Sequence, residues 1–136
     1  MSVEILPPGL PLNESLPSGR QRLTRDFKIE IDGELFWCPE GFEHDGSSWP
    51  RCLPGPRFSR ILCAGICHDY AFRYATHGQG GRELSYVEAN RIWYRVSLAG
   101  EHHDAKANKF WAWCGRIGLF CGGILTWRRY RKADAA

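Results

Sequence analysis

Two short blocks hold the side chains best suited to chemistry: Gly41-Phe42-Glu43-His44-Asp45-Gly46-Ser47-Ser48-Trp49-Pro50 and Cys67-His68-Asp69-Tyr70. The first is a glycine-rich acidic loop and the second a His-Asp pair on an expected helix, so together they can gather a base and several oxygen ligands. Neighbouring residues on a helix point about 100° apart, so His68 and Asp69 cannot serve each other as base and orienting partner. His68 is then the candidate general base or metal ligand. Asp69 is a candidate ligand for a cation or for backbone amides. Asp45 and the carbonyls around Gly46 supply oxygen ligands suited to a hard divalent cation, and His44 is a further candidate ligand. Calcium or zinc is the cofactor such a site would take. Asn90, on the helix that follows, is placed to hold one His68 ring N–H with its amide oxygen and set the tautomer. A tyrosine, Tyr70, Tyr74, Tyr86 or Tyr94, is a candidate to hydrogen-bond the same cluster. Ser47 and Ser48 lack the G-x-S-x-G surround of a nucleophile elbow.

A plainer reading stands beside this one. His68 is a buried, satisfied histidine, and Asp69 accepts loop amides and fastens the loop to the helix. Residue types and spacing leave both readings open, and the concentration of polar residues in the loop speaks for a binding role.

The elements that must position these residues follow from pattern. Residues 1–20 carry Pro7, Pro8, Pro11 and Pro17 among Gly, Ser and Asn, which predicts an extended arm without regular structure. Phe27, Ile29 and Ile31 alternate with charged residues, and Asp32-Gly33 supplies a tight turn into Leu35-Phe36-Trp37-Cys38, so residues 27–38 read as a β-hairpin with one buried face. Prolines and glycines make 39–57 a long polar loop. Ser59 caps a first helix through about Tyr74, and a flexible link covers 76–81. Ser85-Tyr86-Val87-Glu88 is a capping box that opens a second helix to Leu98. Asp104 caps a third helix through Trp127. The expected fold is α+β: an arm (1–20), then a single globular domain (21–132) in which the hairpin, the loop and a small bundle of three helices follow one another, and a tail (133–136).

At 136 residues and 43% hydrophobic, the chain suits one small domain with a modest core. A net charge of +3 is too mild to imply nucleic acid. Arg128-Arg129-Tyr130-Arg131-Lys132 reads first as a solvated helix end that complements the C-terminal dipole, and second as a contact for a membrane surface or nucleic acid. No signal peptide opens the chain, so synthesis in the cytoplasm is expected. Six cysteines, at 38, 52, 63, 67, 114 and 121, read as buried free thiols, with a Cys38–Cys52 disulfide across the loop in an oxidising setting. The pairs 63/67 and 114/121 each share a helical face. The paired spacings of a zinc module are absent.

Phe110 to Trp127 is apolar apart from Arg116, and two readings apply. As a buried core helix it supplies the element a small domain packs around. As a membrane helix it is near the lower length limit, with Gly118-x-x-x-Gly122 and a basic flank in its favour, and with Arg116 and its dispersed aromatics against it.

Taken together, Gly41-Phe42-x-x-Asp45-Gly46-Ser47-Ser48-x-Pro50, then His68-Asp69-Tyr70 and Glu88-Ala89-Asn90, resemble the phage and prophage domain-of-unknown-function family DUF1353 over residues of about 25–127. The resemblance implies a small phage- or prophage-encoded protein with no reaction to carry over. It also implies an Ala-Asp step where this chain has Ala89-Asn90, a departure that removes a carboxylate. Cys63-Ala64-Gly65-Ile66-Cys67-His68-Asp69-Tyr70 is more loosely similar to the His-Asp helix of phospholipase A-two enzymes. That likeness implies His68 as the base that deprotonates water and Asp69 as a cation ligand, with Asn90 standing where an aspartate would orient the histidine.

Three functions follow as expectations. The first is an accessory or virion protein, of tail or adaptor type, whose partners are other phage proteins, the host envelope or a second copy of itself. The second is a metal-assisted hydrolase of a host-envelope ester or cell-wall bond. The third is a membrane-associated lysis component acting through residues 110–127.

Overall fold

A computed structural model describes residues 2–45, 62–99 and 109–136. These residues form two three-stranded antiparallel sheets and three helices, an α+β fold. The strands are β1 (Val3–Ile5), β2 (Asn13–Ser15), β3 (Gln21–Leu23), β4 (Phe27–Ile31), β5 (Glu34–Cys38) and β6 (Glu43–His44), and the helices are α1 (Leu62–Tyr74), α2 (Tyr86–Ala99) and α3 (Lys109–Ala135).

The hairpin forms as its alternation predicts. Phe27, Ile29 and Ile31 are buried and pair in register with Cys38, Phe36 and Glu34. Asp32 and Gly33 have φ of 52° and 80°, the left-handed pair that a two-residue turn matched to strand twist requires. Phe27 and Phe36 are wholly buried, each stabilising the fold by about 2 kcal/mol.

The segment before the hairpin is extended, as expected, yet it is paired rather than free. β1 adds to the hairpin as an edge strand on β4, and β2 pairs with β3 in a second sheet of order β2-β3-β6. The expectation that proline bars regular structure here is corrected. Pro7, Pro8, Pro11 and Pro17 all fall between the short strands, where no ladder donor is needed.

On α2, Ala89, Ile92, Trp93 and Val96 recur at helical spacing and are buried. Its capping box is complete: the Ser85 amide donates to Glu88 Oε2 at 2.8 Å and the Glu88 amide donates to Ser85 Oγ at 3.2 Å. The Ser85 amide, the Arg82 guanidinium and the Ser85 hydroxyl hold the exposed Glu88 carboxyl down at about 2. The expected caps Ser59 and Asp104 lie outside the described residues.

The link after α1 is seated, not flexible. Ala75 ends the helix at φ 53°, Thr76 bridges Glu83, and Gln79 N–H donates to Trp37 O at 2.7 Å. His77 and Gly78 are consequently buried against β5.

α3 departs most from expectation. It continues to Ala135, through most of the expected tail, and it is not a buried core helix. Leu119 and Trp127 pack on the core, while Trp113, Ile117, Phe120 and Leu125 are exposed. No helix among the described residues is long and apolar enough to cross a membrane.

Candidate functional site

His68 and Asn90 come together as their residue types suggest. Asn90 Nδ2 donates to the Tyr86 carbonyl at 2.9 Å, and a carbonyl can only accept, so the amide oxygen is the atom that faces His68. That oxygen lies 3.2 Å from His68 Nε2, which therefore carries the ring proton. His68 Nδ1 is left with its lone pair, buried and without a hydrogen-bond partner among the described residues, 3.8 Å from Asp69 Oδ1. The ring is 4% exposed and lies against Phe72, with centroids 4.3 Å apart. Among the described residues, Nδ1 is thus an uncommitted nitrogen that is buried.

Asp69 and Asp45 also meet, through the Asp45 backbone. The Asp45 amide donates to Asp69 Oδ2 at 3.1 Å, while the exposed Asp45 carboxylate pairs with Arg20 Nε at 3.4 Å. Asp69 thus fastens the start of the loop to α1. Gly41 takes φ 89° at the approach to this loop, and Gly46, Ser47, Ser48 and Pro50 lie outside the described residues. Among the described residues no group of three or more His, Cys, Asp or Glu is placed to hold a metal ion.

His44 is wholly buried, and its Nε2 shares a hydrogen bond of 2.6 Å with Asn13 Oδ1, which ties β6 to β2. Burial holds its pKa below 6.5; the Asp69 and Asp45 carboxylates oppose that shift, and Arg20 adds to it. The unfolded chain therefore takes up this proton first as pH falls. Stability is expected to drop as pH is lowered from 6.5 towards the depressed folded value and to level off below it. Urea titrations of wild type and His44→Gln across pH 7 to 5 check this; an unchanged slope in the variant would remove His44 as the source.

Residues 41–45, the end of α1 and the end of α3 enclose an open cleft of about 460 Å³. Asp45, Asp69, Arg20, Arg73 and Tyr130 line it, and His68 sits behind Phe72. Spacing could not have revealed Arg20, Arg73 or Tyr130, because three distant segments supply them. Arg73 is held at 2.9 Å by Asp134 and lies over the Tyr74 and Tyr130 rings. Arg131, expected to serve its own helix end, instead donates to the Phe72 and Arg73 carbonyls at 3.0 and 2.6 Å, where it caps α1.

The cysteine expectations hold only in the core. Cys38, Cys63 and Cys67 are buried free thiols, and burial together with a hydrogen bond to Cys38 pushes the Cys67 thiol well up. Cys38 thus neighbours Cys67 on α1, and Cys52, its expected partner in an oxidising setting, lies outside the described residues. Cys121 is exposed and Cys114 half-buried, because they sit on α3.

No curated protein and no solved structure matches the chain. The family model described as "Protein of unknown function (DUF1353)" matches residues 21–114, a span that takes in the second sheet's β3 and β6, the hairpin, the loop and the His68–Asn90 pair. Since that match covers more than half of its length, the chain belongs to the DUF1353 family.

Proposed function

We propose that this chain is a phage- or prophage-encoded accessory or virion protein whose His-Asp cluster is a fastening rather than a catalytic centre. The phage assignment is supported by the motif resemblance described above. The non-catalytic assignment is carried by one observation: His68 is buried behind Phe72, with Nε2 committed to an amide oxygen that Tyr86 holds in place. The Asn90 amide oxygen at that position accepts the Nε2 proton and fixes the ring's tautomer and orientation. The cluster instead joins α1 to α2 through His68 and α1 to the loop through Asp69. His68→Ala is expected to cost about 2 kcal/mol, by leaving Asn90 Oδ1 buried and unpaired. Neither wild type nor variant should release fatty acid or muropeptide from bacterial envelope with calcium, zinc or chelator. The protein should be recovered in purified particles.

A second reading, a metal-assisted hydrolase, is favoured by the unpartnered His68 Nδ1 beside Asp69 and by the polar cleft next to it, which Asp45 and Asp69 help line. In it His68 would deprotonate water, and Asp45 and Asp69 would hold the cation. Metal-dependent release by wild type that is lost in His68→Ala would establish this reading and overturn the first.

A further inference from the structure

The outward face of α3 changes character along its length. At 100° per residue, Trp113, Ile117, Cys121 and Leu125 fall within an arc of about 120°, with Phe120 at its edge, where its ring also meets Tyr86 at 5.0 Å. Trp113, Phe120 and Leu125 are 55%, 44% and 73% exposed. Arg128 and Lys132 continue the same arc toward the C-terminus, with Arg129 exposed beside them. The adjoining side, with Arg116 over Tyr94, Leu119 on the core, and Trp127 against Phe72 and Tyr86, is where the helix meets the domain. The helix's one acid, Asp134, is committed to Arg73 at 2.9 Å and Arg131 at 3.2 Å, so it does not neutralise the outward basic residues.

We infer that this face docks on an anionic lipid bilayer, lying in its surface without crossing it. From Trp113 to Leu125 the apolar stretch is about 18 Å long, well short of the roughly 30 Å of a hydrocarbon core. Length therefore suits the boundary between headgroups and acyl chains, where aromatic side chains settle. Charge selects the same occupant. Anionic headgroups match Arg128, Arg129 and Lys132 while the acyl boundary takes Trp113, Ile117 and Leu125, so one surface satisfies both halves of the face. A second copy paired in parallel would set Arg128 and Lys132 against their own counterparts. The inference is independent of the phage assignment and of the His68 fastening.

The test is co-sedimentation of the full chain with vesicles of phosphatidylcholine alone or with about one-quarter phosphatidylglycerol, beside light scattering for oligomeric state. Wild type should bind the anionic vesicles preferentially and release as salt rises. Both Trp113→Ser/Leu125→Asp and Arg128→Gln/Arg129→Gln/Lys132→Gln should bind more than about tenfold more weakly. Circular dichroism should show each variant folded, since these side chains lie outside the core. Failure of folded wild type to bind anionic vesicles would overturn the inference. So would binding that the basic substitutions leave unchanged, or a wild-type dimer that Leu125→Asp dissociates, which would assign the face to a second copy.

Discussion

Gly78→Ala is expected to destabilise the protein by about 4 kcal/mol or more, enough to leave a small domain largely unfolded. Gly78 has φ 75°, where an alanine is already strained, and a Cβ built on it would overlap Trp37 N, with Trp37 O at 3.0 Å and Phe36 C at 3.1 Å. These neighbours are backbone atoms of β5, so no rotamer change relieves the overlap. The turn must lift from the strand. Lifting it gives up the Gln79-to-Trp37 hydrogen bond and the contact of His77 Nδ1 with Leu35 O at 3.0 Å, and it opens the edge-on packing of His77 against Phe36. Thermal or urea denaturation reads the loss. A variant within 1 kcal/mol of wild type would show that the turn does not bear on β5 as described.

Trp93→Ala is expected to cost about 3 to 5 kcal/mol, the range for removing a fully buried large aromatic and leaving a cavity. Trp93 is wholly buried on α2 beside Ala89 and Val96, and it lies less than one turn after Asn90. Loosening α2 there also frees the amide that holds His68 Nε2. The variant should therefore have a lower denaturation midpoint and lose the fixed His68 tautomer, which nitrogen-15 histidine spectra would read. A destabilised protein that keeps the wild-type tautomer signature would separate the core from the His68 fastening. Trp93→Phe, which keeps most of the buried area, should lose much less and retain the signature.

Features set by local rules were readable before any coordinates. The hairpin needs only alternation at Phe27, Ile29 and Ile31 and the left-handed tolerance of Asp32-Gly33, and both are properties of neighbouring residues. The α2 start is as local, because Ser85 and Glu88 satisfy each other's amides within one turn. The His68–Asn90 contact crosses two helices, yet polar side chains on the inner faces of adjacent short-linked helices have few other partners to find. Asp69 receiving a loop amide from Asp45 was legible for the same reason.

Elsewhere periodicity misled, and α3 shows why. A stretch as apolar as 110–127 reads as core, but the core is already filled by the hairpin, α1 and α2, so only one side of α3 finds a surface to cover. Nor could pattern foretell that His44 would be held by Asn13, that Arg131 would cap another helix, or that Arg20, Arg73 and Tyr130 would share a cleft.

By itself, then, the sequence determined this protein's local elements, its α+β class, its family and the polar pair at the heart of its candidate site, because each depends on residues a few positions apart or on side chains with one plausible partner. The tertiary structure alone decided which faces are covered: the proline-rich segment becomes edge strands, the glycine link is pressed onto β5, and the outer side of α3 is left open with its basic end. Those outcomes depend on how much buried surface the rest of the chain can offer, a quantity that no stretch of sequence carries.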